Sequence, residues 1–521
     1  MGGLFLHTFF VVSDDILGNI ISRLPAKSFA AAACVNHVWN RVSDLILSRP
    51  RLASGLSVAE SPEIAVDEAL EMALSKPIRP HFAIAFVGLQ FPIEEMHNRI
   101  TSKIGANTLL ITSAALGIIG VDSTTNELEE VNWEYEGDAP NTGDDMYRGI
   151  TLVIGFVPGL KLNVFPMLRT KSEPQVTMVD KFISDVRDFT ASVSGDANRD
   201  PIGITLFGDH CRNVKPILAE IDTKISRETI MIGDVHNFFV CTNAAILNVD
   251  TNLYTLDAVA LVFARDNQNN EVEIKFHVGI SSGIIPIGPK LEILDVLEYE
   301  DKSSWLIART QDEQLPLDAS NLLTSLHALI EDNCYFLYVG VIKEIVPQEG
   351  GPSIKYTSFH EVVGYINYMH HIHTIQTRQN MFIVAGTGIN PGDACMFYHS
   401  DMETAKGSST NVYNRFNSLA EPPPRQVLGQ LISANQANRE KVFGGILFGS
   451  SNRGEKYFGN SMTDCMPFLK NFPQVPFGGT FCFEPIGRSP VLEDEEWPSQ
   501  ENRFNMQAFN TVHLLMSYKT S

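Results

Sequence analysis

Residues 13 to 49 set three short apolar stripes one after another, and no stripe is long enough to close a core alone. Ser13 stands ahead of Asp14 and Asp15, the order that caps a helix and places negative charge in its first turn. Ile16, Leu17, Ile20, Ile21 and Leu24 follow at helical spacing until Pro25 forces a turn. A second short helix carries Ala30 to Ala33, and a third aligns Val35, Val38, Trp39, Val42, Leu45 and Ile46 before Pro50. A segment below roughly 40 residues buries too little surface to be stable by itself, so this apolar face needs cover. The cover is either another protein or the rest of this chain, with the helices as an N-terminal cap.

The remainder is ordinary globular material: 521 residues with 44% hydrophobic and 19% charged side chains suggest a small helical module plus two or three larger domains. A formal charge of -22 argues against extended binding to nucleic acid, which needs a positive field to displace counterions. The cysteines number 7, are scattered and never stand as CxxC, so neither a disulfide framework nor a structural zinc site is expected. A reducing compartment, cytoplasm or nucleus, fits this usage. The apolar run Leu4 to Val12 is too short to span a membrane, carries His7 and lacks a basic leader. Leu6 stands where a myristoylation signal has Ser or Thr.

Beyond a linker around Pro50 to Pro62, runs rich in β-branched and aromatic residues alternate with helical patterns. Strands are expected at 81–89, 108–120, 150–158, 202–208, 229–235 and 258–265, and helices at 63–75, 93–103, 175–193 and 212–224. A second block opens with a helix from about residue 316, followed by strands at 335–345, EVVGYINY, MFIVAGTG, DACMFYHS and GGILFGSS; Pro422 to Pro424 precede a further helix. The expected class is therefore mixed α/β (α+β). The run LEILDVLEY resembles one leucine-rich unit but has no repeated neighbours to stack on, which excludes a solenoid.

Two resemblances organise these elements. The string Leu24-Pro25-Ala26-Lys27-Ser28, then Val35 and Trp39 ahead of Arg41, resembles an F-box, although Val12-Ser13 stands where the family usually has Leu-Pro. The resemblance places an F-box at 10–56 and implies docking onto a Skp-type adaptor, and through it a cullin, with Leu17, Ile20, Ile21, Leu24, Pro25, Val35 and Trp39 at the family's apolar positions. The strings VGISSGIIPIGPKLEI, AGTGINPGDACMFYHSD, GGILFGSSNRGEKYFG and VPFGGTFCFEPIG resemble the FIST sensory domain, with halves at 75–310 and 320–521. The order is that of eukaryotic F-box/FIST proteins. It implies a three-helix F-box followed by two sheet-containing domains, in a non-catalytic substrate adaptor of an SCF ubiquitin ligase that recruits a protein through its body. The alternative is a small-ligand sensor without a ligase role. Family cysteines are replaced here, by Gly283-Ile284 and by Ser450-Ser451-Asn452 before Arg453-Gly454, and the usual ending becomes Phe483-Glu484-Pro485-Ile486-Gly487.

Other motifs read as structure. Gly279-Ile280-Ser281-Ser282-Gly283 matches GxSxG, but Pro286 and Pro289 follow where a nucleophile elbow needs a helix. Gly386, Gly388 and Gly392 lack GxGxxG spacing and a following Lys-Ser/Thr, which leaves a turn. His370, His371 and His373 do not converge on one metal without a further ligand, and no cofactor motif is present. Arg453 beside Gly454, with Glu484, forms the best candidate ligand set, because a guanidinium fork pairs with a planar acid; a salt bridge is the competing role. The acidic run Glu493 to Glu496 reads as a solvated loop.

Overall fold

The computed structural model describes residues 13–520 apart from 134–146, 174, 197–199, 211, 213, 243–252, 269–271, 300–302, 311–314, 331–335, 346–353, 373–374, 421–439 and 489–508. The apolar run 4–12, the helix expected after Pro424 and the acidic run 493–496 lie outside these residues, as do the side chains of His370, His371 and His373.

Three helices open the chain: α1 (Asp14–Ile21), α2 (Ala26–Ala33) and α3 (His37–Leu47). Ser13 holds the N-cap position of α1 without a side-chain bond, whereas the Asn36 side chain caps α3 by accepting from the amides of Val38 and Trp39, each at 2.9 Å. Next come β1 (Arg51–Ser57), α4 (Pro62–Ala73), β2 (Phe82–Gly88), α5 (Ile93–Ile104), β3 (Leu109–Ala115), β4 (Gly117–Val121), β5 (Leu128–Asn132), β6 (Ile150–Phe156), β7 (Leu160–Thr170), α6 (Gln175–Ser194), β8 (Gly203–Asp209), α7 (Lys215–Lys224), β9 (Ile230–Asn237), β10 (Phe239–Cys241), β11 (Tyr254–Arg265) and β12 (Val272–Ser282). The chain continues through β13 (Ile284–Glu298), β14 (Ser303–Thr310), α8 (Ala319–Leu329), β15 (Leu337–Ile345), β16 (Ile354–Ile372), β17 (Ile375–Ala385), β18 (Ala394–Ser400), α9 (Met402–Asn417), β19 (Lys441–Ser450), α10 (Glu455–Phe458), α11 (Met466–Asn471), β20 (Phe477–Cys482), β21 (Pro485–Arg488) and β22 (Asn510–Thr520).

The strands form a first sheet in the order β1-β6-β2-β3-β10, a second β21-β9-β8-β11-β7, a third β12-β22-β19-β20-β4-β5, and a closed barrel β13-β14-β17-β16-β15-β18. The fold is mixed α/β, as composition and alternation imply. The three sheets share one apolar core, where Phe448 lies edge-on to Phe86 at 5.6 Å and tilted against Phe207 at 6.0 Å. Helices α4 and α5 pack on the first sheet, and α6 and α7 on the second. Leu323 and Leu326 of α8 sink into the barrel core.

Two expectations are corrected. The stretch read as a linker is β1, paired antiparallel with β6 from Arg51 to Ser57. Its Gly and Ser content signals close packing instead of flexibility: a Cβ at Gly55 would stand 2.3 Å from the Ala69 carbonyl oxygen of α4. The run 108–120 is two strands, β3 parallel to β2 in the first sheet and β4 antiparallel to β20 in the third. Both are buried on both faces, so hydrophobicity alone shows no break between them.

The stretches 75–310 and 320–521 are interleaved in space. The third sheet sets β4, β5 and β12 beside β19, β20 and β22, and β21 joins β9 in the second. The barrel likewise takes β13 and β14 from one stretch and β15 to β18 from the other. Among the described residues no helix is long and apolar enough to cross a membrane.

Candidate functional site

The helical module has two apolar faces. Leu17 and Ile21, 5% and 0% exposed, meet Phe29 and Val42 in a small internal core, with Leu24 and Trp39 packed partly against it. Beside that core the module is bare on its outside: Ile16 and Ile20 are each 56% exposed, Val35 60%, Val38 45% and Leu45 56%. Of the docking positions that the sequence suggests, Ile20, Pro25 and Val35 lie on the surface and Leu24 and Trp39 are half-buried. Leu17 and Ile21 instead hold the module together. A stripe of apolar residues at helical spacing merges these two faces because both repeat with the same period. Ile16, Val38 and Leu45 complete the outer one. The large body leaves this face open and grips the module from behind: Ala26 N donates to the Leu74 carbonyl at 3.3 Å, and Pro50 is buried where the chain enters β1.

Arg453 lies at 0% exposure, deep behind the loop after β19. Its Nε and Nη2 each donate at 2.7 Å to the two carboxylate oxygens of Asp464. Nη2 also donates to Ser281 Oγ at 2.9 Å, and Nη1 to the carbonyls of Phe509 at 3.2 Å and Ser281 at 3.4 Å. All five guanidinium N–H groups are thereby used within the chain, so the fork expected to take a ligand is a structural clamp. Burial pushes the Asp464 carboxyl up, but Arg453, His513 and the Thr511 hydroxyl outweigh it and hold the group below its ordinary value. Gly454 supplies the sharp turn that follows, at φ +119°, where a Cβ would also stand 3.0 Å from Glu130 Oε1.

Glu130 is the neighbour with a pH consequence. Burial, and then the charge of Asp464, raise its carboxyl to about 7, against the opposing bond from the Met462 amide. A carboxyl raised in the folded state binds its proton more tightly there than in the unfolded chain, so stability is lost as pH rises from about 4.5 to 7. Glu130→Gln keeps an acceptor for Met462 and removes that loss. The variant is expected to match the parent at pH 4.5 and to exceed it by about 1–2 kcal/mol at pH 8 in urea unfolding.

Glu484 sits apart from Arg453, on the lining of a cavity of about 730 Å³ between the barrel and the second and third sheets. Its Oε1 pairs with Lys215 Nζ at 2.7 Å. Burial raises the carboxyl, but the charges of Lys215 and His236 bring it below the ordinary range. His360, pushed down to about 3 by burial, is neutral and structural: one ring nitrogen meets the Ala385 carbonyl and the other the Ser358 hydroxyl, each at 3.0 Å. His210, Arg212, Lys215 and His236 line the same space. Sequence reasoning passed over them, although each polar set follows or ends a strand of the second sheet. Of the expected ligand set, the structure thus brings only Glu484 to the cavity.

The remaining motifs are structural in place. Ser281 is 0% exposed at the end of β12, and the chain passes through Gly283 into β13 without a helix, so the geometry of a nucleophile elbow is absent at this position. Gly386, Gly388 and Gly392 all take positive φ in the turn between β17 and β18. The LEILDVLE run is part of β13, an antiparallel barrel strand.

Comparison with known proteins supplies the family. An F-box/LRR-repeat protein of Arabidopsis thaliana is 31% identical over 526 residues, covering 97% of this chain and 93% of that relative. The chain belongs to the F-box protein family. No protein-family model matches it. Among its described residues no leucine-rich solenoid is present.

Proposed function

We propose that this chain is a substrate adaptor of an SCF ubiquitin ligase, with α1 to α3 docking a Skp-type adaptor and the α/β body, FIST-like in its sequence strings, holding the protein to be modified. The observation that carries this reading is the outer apolar face of Ile16, Ile20, Val35, Val38 and Leu45, left open by the body on a module with its own core. A patch of that kind on a marginal module marks an interaction surface. The work of such a chain is tethering: held beside a charged conjugating enzyme, target lysines reach an effective concentration of roughly millimolar order. No catalytic group is required of it.

The module continues into β1 with no slack segment, so the body is carried at a fixed attitude to whatever covers the helices. Affinity purification of the full chain with Val35→Asp and Val38→Asp together tests the reading. Cullin and Skp-type subunits should vanish from the purified set while recruited proteins remain. Retention of the ligase subunits would overturn it.

A further inference from the structure

The cavity beside Glu484 lies where two parallel strand pairs end. β8 runs parallel to β9, and β19 parallel to β20. His236 near the end of β9, and Arg212, Ser451 and Phe483 just past the ends of β8, β19 and β20, all line the space. In α/β sheets the crevice outside the carboxyl ends of parallel strands is where ligands bind, because loops are free to vary there while the strands hold them rigidly. At about 730 Å³ it has the size of a small-molecule site.

Its charges narrow the occupant. The ammonium of Lys215 is matched by Glu484 at 2.7 Å. Asp257, 0% exposed, is matched by Arg169 at 2.7 Å, and Arg212 is a second cation against the same carboxylate at 3.6 Å. Arg212 also donates through Nη2 to Thr255 Oγ1 at 3.0 Å, and among the described residues its Nη1 meets no acceptor. Arg212 therefore keeps donor capacity to spare on the lining. Tyr338, 2% exposed, accepts from Asn452 Nδ2 at 3.1 Å, and its own proton likewise meets no acceptor among the described residues. The other lining carboxylate, Glu361, is exposed and neighbours Tyr338 in the barrel register, which disfavours a second negative charge on the occupant. The walls are aromatic: Trp305 lies tilted against Tyr299 with ring centres 4.1 Å apart, and Phe483, 49% exposed, meets His236 edge to face at 5.5 Å. Such faces suit a flat apolar body.

We propose that this cavity binds a monocarboxylic acid with a planar apolar body, its carboxylate paired with Arg212. The site does not depend on whether the helical module docks a ligase, and its test is separate. The same chemistry is offered by a free small acid or by the terminal carboxylate of a peptide ending in an aromatic residue.

Isothermal titration of the full chain with 2-naphthoate, 2-naphthamide and inorganic phosphate, and with a Phe-terminated peptide in free-acid and amidated forms, separates the cases. An acid form should bind at least about tenfold tighter than its amide, the worth of one charged hydrogen bond, and phosphate should bind no better than the amide. Arg212→Gln, which leaves Asp257 with Arg169, should erase the preference for acid over amide. Ala385→Trp, which fills an exposed position on the lining, should abolish binding of both without lowering the melting temperature. Tighter binding of the free-acid peptide than of naphthoate assigns the site to protein tails, and the reverse assigns it to a small acid. Equal affinity for acid and amide, phosphate binding as tightly as naphthoate, no binding of either acid, or full binding by both variants would each overturn the proposal.

Discussion

Arg453→Met is expected to cost about 3–5 kcal/mol of stability at neutral pH, the range for breaking one side of a buried ion pair. The loss comes mainly from what is left behind. Asp464, 2% exposed, would keep only the Thr511 hydroxyl at 2.7 Å from its carboxylate, with both guanidinium bonds gone. Ser281 Oγ and the Phe509 carbonyl would lose their donors at the same time, at the point where β12 meets the residue before β22. Adding Asp464→Leu removes the stranded charge and should restore most of the loss, since apolar replacement of a whole buried pair is often neutral. The pH dependence has a definite sign. In the parent, Asp464 is held below its ordinary value, so its contribution is present above the unfolded value and disappears as pH falls through the folded one. In Arg453→Met the carboxyl is no longer held down, and the deficit should shrink as pH falls and the group protonates. Urea midpoints of parent, single and double variants at pH 5 and pH 8 measure this. A single variant within about 1 kcal/mol of the parent at pH 8 would contradict a structural role for Arg453.

The second large effect separates two adjacent residues. Ile20→Asp and Ile21→Asp place the same charge one position apart on α1, yet Ile20 is 56% exposed and Ile21 0%. On the outer face, Asp at 20 costs the folded chain little and puts an unpaired carboxylate into the proposed docking surface. Affinity for a Skp-type adaptor should fall at least about 100-fold, the scale of an interface hot spot lost with an uncompensated charge, with the melting temperature unchanged. At 21 the charge enters the core shared with Leu17, Phe29 and Val42. The module should melt locally while the sheets stay intact, because its internal core is separate from theirs. Ile21→Asp would also lose the adaptor, for a different reason, and the helical contribution to the far-ultraviolet spectrum tells the two apart.

How much of this was legible in the residues differs from element to element. Strands such as 150–158 and helices such as 63–75 announce themselves because period, length and flanking Pro or Gly agree. β1 was hidden because Gly55 and its serines read as flexible, when their small side chains serve the approach of α4 and the third sheet. The break between β3 and β4 was hidden because a doubly buried strand has no alternation to interrupt. Helix α9 was passed over because its Gly, Ser, Thr and Asn content lowers helix propensity, and tertiary packing of Ala405, Val412 and Phe416 overrides it. At the sites, residue type pointed to Arg453 as a binding group, and only the fold places Asp464 against it. The cavity is assembled from strands and loops far apart in the chain, for which a single sequence has no local signal. The N-terminal helices were legible as helices; which of their apolar residues face outward was not.

Amide hydrogen exchange of the full chain with and without a Skp-type adaptor reads the outer face of α1 to α3 directly. Protection should rise in α1 and around Val35 to Leu45 on adding the adaptor, with the amides of β2 and β6 unchanged, and Ile20→Asp should remove that rise. Unaltered exchange across residues 13–49 at saturating adaptor, or the same protection in Ile20→Asp, would contradict docking through that face.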